Sequence, residues 1–214
     1  MAKQERAIPT RRACLEAAAE IFNEYGYEGA TIAAVLERAQ LTRAALYFHF
    51  TSKEELAHGV LAEGVTTEGL VPQPFKLQEW VDISLLLAHR LPREPVLKAC
   101  IRLSVDPKAR SLLGTRWPDW IALGGGVLME AKARGELYSH IDPTDAARLL
   151  IGAWTGVQLI TEAVPNPPDL CEEISRLLEF ILPNVAVPGV LARLDTSPFR
   201  AERLLGAERS TVVS

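Results

Sequence analysis

Between Ala30 and Lys53 the chain reads ATIAAVLERAQLTRAALYFHFTSK. Thr31, Thr42 and Ser52 in this stretch each carry a side-chain oxygen that can accept from the free N–H groups at a helix start. Caps set so close together leave room only for two short helices and the beginning of a third. Ile32, Val35, Leu36 and Ala39 fall at helical spacing, so the first helix runs from Thr31 to about Ala39. Thr42 opens the second almost at once, and Leu46, Tyr47, Phe48 and Phe50 crowd it. Ser52 opens the third, with Glu55 at the capping-box position. Two helices joined by so tight a turn make a helix-turn-helix, whose second helix enters the major groove of DNA.

The rest of the chain is helical in pattern, with no sustained two-residue alternation, so the fold class is all-α. Thr10 to Tyr25 forms a helix with Leu15, Ala18, Ala19 and Phe22 as its apolar stripe and Gly26 as its stop. Residues 1–6 ahead of it are polar and basic, and read as a mobile arm. A helix over Ser52–Gly64 joins head to body. The Gly- and Pro-containing stretch Thr66–Gln73 marks the break. Further helices are expected over Leu77–Leu91, Pro95–Val105, a brief segment from Asp106–Pro107, Pro118–Arg134, Thr144–Ala163, Pro168–Leu182 and Pro188 to about Leu205. The last eight or so residues read as disordered.

Of the 214 residues 48% are hydrophobic, ample for a buried core, and the net charge is −4. An acidic total does not exclude a nucleic-acid partner, because Lys3, Arg6, Arg11 and Arg12 at one end, and Arg43 and Lys53 in the central stretch, are locally basic. Cys14, Cys100 and Cys171 are widely spaced and read as buried reduced thiols. No apolar leader or bilayer-length run is present, so a soluble, cytoplasmic protein is expected. The four histidines, at 49, 58, 89 and 140, are scattered, and no nucleophile or zinc motif occurs. The reading is therefore no catalytic residue, no metal and no cofactor.

The run LTRAALYFHFTSKEELA is similar to the recognition-helix signature of TetR-type one-component repressors, and MAKQERAIPTRRACLEAAAEIFNEYGYEGATI resembles that family's first helix. More narrowly, the chain resembles the actinobacterial gamma-butyrolactone receptor branch. That likeness continues through RLSVD, PDW, AKARGEL, TGVQLITEA and ILPNVAVPGVLA, as far as about Leu194. The resemblance implies a three-helix DNA-binding head at 1–52, a helical ligand-binding and dimerisation domain at 53–205, and a tail at 206–214. It implies a homodimer bound to a pseudo-palindromic double-stranded operator. A gamma-butyrolactone or related butenolide would release that operator and so control antibiotic or secondary-metabolite genes. Alternatives within the family are a regulator answering an antibiotic or efflux substrate, and a pseudo-receptor. The acidic balance resembles the ligand-responsive receptors more than the basic pseudo-receptors.

On the recognition helix, Thr42 caps and can meet a phosphate. Arg43 can reach a guanine edge or a phosphate. Ala44, where the branch commonly has Gly, can touch a thymine methyl, and Tyr47, His49 and Lys53 are expected at phosphates. Phe48 and Phe50 are expected in the core and at the helix junction. Gln40 stands where the family usually has a Gly, in a turn that favours positive φ.

In the body, Ala147, Leu150, Ile151, Trp154, Val157, Gln158 and Thr161 spread around much of one helix, and Ile174, Leu177, Leu178, Ile181 and Leu182 stripe the next. Helices apolar on several faces must be covered on several faces, and the resemblance implies that these two form the dimer interface. It also implies that Trp120, in WPDW, senses the ligand. Trp154 is a further aromatic candidate, and Gln158 and Thr161 could orient a carbonyl or hydroxyl or bridge the interface. Gly124–Gly126 suggests a kink or room for a ligand against bare backbone. Any switch is expected to pass through the helix over 52–64, as the only continuous element joining head and body.

Overall fold

The computed structural model describes the backbone from Ala2 to Val212 and side chains from Pro9 to Gly206. In chain order the helices are α1 (Ala2–Gly29), α2 (Ile32–Ala39), α3 (Arg43–Tyr47), α4 (Lys53–Glu63), α5 (Lys76–Arg90), α6 (Pro95–Val105), α7 (Pro107–Leu113), α8 (Trp117–Ala133), α9 (Pro143–Ala163), α10 (Leu170–Ile181), α11 (Pro188–Leu191) and α12 (Arg200–Val212). Among the described residues there is no strand, only an isolated antiparallel bridge between Leu137 and Ala186. No described helix is long and apolar enough to cross a membrane.

Both ends depart from the sequence reading. The arm expected at residues 1–6 is helical from Ala2 onward and continues into α1. The single segment expected from Pro188 splits into α11 and α12, and α12 runs to Val212, through most of the tail expected to be disordered. Its sequence RAERLLGAERSTV is rich in Ala, Leu, Arg and Glu, all strong helix formers, which explains the extension.

The chain divides into two compact units, and they are not contiguous in sequence. The first is residues 1–66 with 91–117, and the second is 67–90 with 118–214. The boundary expected after residue 52 therefore coincides with neither unit: α4, α6 and α7 all belong with the head. The reason is packing. α6 lies against α1 and α4, and α7 against the same two helices. Their buried Ala99, Cys100, Leu103, Ala109 and Leu113 complete one core with Cys14, Leu15, Ala18, Phe22, Val35, Leu46, Phe50, Leu56 and Val60. Two glycines permit the close approach of α4. A Cβ on Gly59 would stand 2.7 Å from Leu15 Cδ2, and one on Gly64 would overlap the Cys100 sulfur. The chain passes between the units at 66/67, 90/91 and 117/118, so α4 lies within the first unit and the crossing that follows it is one of three covalent connections rather than the only one.

In the second unit α5 is the centre. The buried Glu136 carboxylate accepts from Lys76 N at 3.1 Å and Leu77 N at 2.8 Å, capping α5 from a remote part of the chain. Asp82, fully buried, takes two bonds from the Arg200 guanidinium, at 2.5 and 2.9 Å, and one from Gln78 Nε2 at 2.7 Å. Arg200 and Arg203 also meet Asp195, at 3.2 and 2.6 Å. Burial pushes the Asp195 carboxyl up, but the Ser197 N–H and the two arginines outweigh it and hold it below the usual carboxylate range. This network fastens the segment entering α12 onto α5.

Candidate DNA-reading surface and effector body

Local chemistry builds the head in the order the caps suggest. Thr31 Oγ1 accepts from Ala34 N at 3.1 Å, Thr42 Oγ1 from Ala45 N at 3.2 Å and Ser52 Oγ from Glu55 N at 3.1 Å. Glu55 reaches back to the N–H and hydroxyl of Thr51, both at 2.6 Å, one residue beyond the position a simple capping box uses. The turn between α2 and α3 keeps a glycine-like shape without a glycine. Gln40 sits at φ 53, ψ 37, and its N–H and that of Leu41 satisfy Glu37 O and Leu36 O, each at 3.2 Å. A non-glycine residue there costs roughly 1 kcal/mol. Two ion pairs then fix α2 to α1, from Arg38 to Glu20 at 2.7 Å and to Glu24 at 2.9 Å.

α3 presents one face and buries the other. Thr42, Arg43, Ala44, Tyr47 and Phe48 are exposed, Ala45 and His49 are half-buried, and Leu46 and Phe50 are buried. Thr42, Arg43, Ala44 and Tyr47 thus share an open surface as expected, with the Arg43 guanidinium 5.8 Å from the Tyr47 ring centroid. No acid occurs from Ala39 to Lys53, which leaves this surface suited to phosphates.

Two residues differ from expectation. Phe48 is not core: it is 69% exposed, with the His49 ring edge-on at 4.9 Å. Helical spacing carried the signal, because Phe48 follows Ala44 by four on the open face while Phe50 follows Leu46 by four on the closed one. Lys53 is engaged inside the head rather than held out toward a phosphate. Its ammonium donates to Tyr27 O at 2.8 Å and Ala30 O at 3.1 Å and lies 4.5 Å from the Tyr27 ring centroid. It closes the end of α1, where Gly26 at φ 69 breaks the helix and leaves carbonyls open.

In the second unit Trp154, Gln158 and Thr161 share the buried face of α9 with Ala147 and Leu150. The Trp154 indole N–H donates to Ser84 O at 3.3 Å and is already used. Gln158 is 2% exposed, and its Oε1 has no hydrogen-bond partner. Trp120 is buried on α8, four residues before Gly124. α8 runs as one helix through the three glycines. A Cβ on Gly124 would meet Trp80 Nε1 at 3.5 Å and Ala147 Cβ at 3.6 Å, so α8 passes close to α5 and α9 there, while Gly126 faces open space. The opposite face of α9 exposes Leu149 and Ile160 with Gly152 between them, and α10 exposes Phe180 at 80%. Leu178, by contrast, is fully buried within the unit.

A helix-turn-helix seated on one helical core, with the exposed face of its second helix bare of acids, defines a sequence-reading DNA-binding regulator. The chain belongs to the tetR family of bacterial regulatory proteins, whose model matches residues 15–60. It is 38% identical to the A-factor receptor protein of Streptomyces griseus over 195 residues, 91% of this chain and 70% of that one. The fold matches full-length native TylP, a TetR regulator from Streptomyces fradiae, with a TM-score of 0.88 and 39% identity, covering 94% of this chain and 98% of that one. It also matches a structure solved for the molecular basis of control of antibiotic production by bacterial hormones, at TM-score 0.72 and 31% identity over 84% and 99% of the two chains.

Proposed function

We propose that this protein is a cytoplasmic homodimeric repressor that leaves its operator when a gamma-butyrolactone or related butenolide binds the second unit, and that it thereby controls antibiotic or secondary-metabolite genes. The observation that carries the reading is the acid-free open face of Thr42, Arg43, Ala44 and Tyr47, in a chain 38% identical to an A-factor receptor. Two heads reading two half-sites give the base contacts that one head lacks. The exposed Leu149 and Ile160 on α9 and Phe180 on α10 support the pairing, since these two helices leave large apolar side chains uncovered in a lone chain. For the effector, an apolar interior with few polar groups is the ordinary form of a small-molecule site. Trp120 supplies the wall, Thr161 a hydroxyl, and the unpartnered Gln158 Oε1 an acceptor for a ligand hydroxyl.

The test is gel retardation on DNA from upstream of the protein's own gene, followed by release with a synthetic gamma-butyrolactone, a butenolide and a furan in parallel. A sequence-specific shift released by one of the first two is the expected result. Trp120→Ala should bind the same DNA and fail to release it. Because a buried Trp→Ala change costs about 3–5 kcal/mol, the variant is first shown to melt as a folded protein. No shift removes the DNA reading, and release of the folded variant at the wild-type ligand concentration removes Trp120 from the site.

A further inference from the structure

Among the described residues of the head, Phe48 is the most exposed large apolar side chain, at 69%, and it stands at the end of α3. A solvated phenyl ring gains nothing for this fold. Its neighbour Phe50, two residues on, is 3% exposed and already closes the core below α3. The ring is not loose either, since His49 packs edge-on against it. Ala44 lies one helical turn earlier on the same face, linked by the bond from Phe48 N to Ala44 O at 3.1 Å, and is also exposed. The two form an apolar stripe flanked by the polar Thr42, Arg43 and Tyr47. In the major groove the one apolar feature that varies with sequence is the C5 methyl of thymine, and Ala and Phe side chains are suited to contact it.

We propose that Phe48 is a specificity-determining residue which packs against a thymine methyl in each half-site, one helical turn from the base pair Ala44 meets. This rests on the reading of the Thr42–His49 face as the DNA-contacting surface. It predicts a preference for thymine over every other pyrimidine at that position, including uracil, which differs only in lacking the methyl.

The full-length protein selects its tightest duplex from a random-sequence library, and each thymine of that duplex is then replaced in turn by deoxyuridine. Anisotropy titration should show one thymine per half-site whose replacement weakens wild-type binding about fourfold, the change that burial of one methyl-sized group corresponds to. Phe48→Ala should bind the unmodified duplex more weakly than wild type, with an unchanged melting temperature, and should lose nothing further on that replacement. Phe48→Leu, which keeps an apolar side chain, should retain part of the discrimination. Equal uracil penalties in wild type and Phe48→Ala, or no thymine with a penalty in the wild type, overturn the assignment of Phe48 while leaving DNA binding standing. Failure to select any duplex overturns the surface as a whole.

Discussion

Replacing Lys53 by Met keeps an unbranched stem over the Tyr27 ring and removes the ammonium. The two short bonds to Tyr27 O and Ala30 O are lost, with the long one to Glu28 O at 3.5 Å and the cation over the ring. A hydrogen bond from a charged group contributes about 1.5–3 kcal/mol, and a partly exposed cation–π contact about 0.5–1. Lys53 is half-buried, so the lower ends apply and the loss from the two short bonds and the ring contact is about 3.5 kcal/mol. For a chain of this size that corresponds to a fall of roughly 7–14 °C in melting temperature. The carbonyls it leaves sit where α1 ends before α2, so the change should loosen the seat of the helix-turn-helix. Calorimetry measures the first effect, and operator titration across a salt series measures the second. An internal tie predicts weaker binding with an unchanged slope of log affinity against log salt. A phosphate contact predicts a slope smaller by about 0.9 with the melting temperature unmoved. The second pattern would refute the assignment.

Gln40→Gly should stabilise the head by about 0.5–1 kcal/mol, because glycine adopts φ 53 without the Cβ penalty, and a lower melting temperature would show that Gln40 makes up its strain elsewhere. Phe180→Glu should give a folded monomer by light scattering, whereas Leu178→Glu should unfold the body by placing a charge in its core; a dimeric Phe180→Glu protein would move the interface off α10. Asp195 has a folded pKa below its unfolded value of about 3.9, so it contributes stability at neutral pH that is lost as pH falls through the folded pKa. Acid titration of the melting temperature should therefore show a drop below about pH 4 that is smaller in Asp195→Asn, and identical acid profiles would remove the network from this role.

Much of the helical framework could be read from residues because its signals are local. Thr31, Thr42 and Ser52 bind N–H groups three residues away, and α6 begins and ends at the prolines and aspartate that mark it in sequence. What escaped depended on partners far along the chain. Nothing near Cys100 says that its sulfur will lie against Gly64, and so the membership of α6 in the head was invisible. Lys53 carries the basic charge a phosphate contact needs, and only the fold shows that charge turned onto Tyr27 and Ala30. Phe48 is a different failure: the helical spacing was there, but an aromatic residue beside Phe50 invited the same reading for both. In the body, the faces of α9 were all visibly apolar, and only packing decided that Trp154 and Gln158 turn inward while Ile160 turns out.

The pairing of Asp82 with Arg200 also orders events during synthesis. The head has all its segments once residue 117 has left the ribosome, and domains can fold as they emerge. α5 cannot settle on that schedule. Its buried carboxylate has no guanidinium until residue 200 is translated, more than a hundred residues after it. Until then Asp82 lacks the partner that lets α5 bury it. A chain that terminates before Arg200 would carry a complete first unit on a body open to chaperones and proteases. Cellular quality control would thus remove an incomplete protein whose first unit is folded and whose second is not.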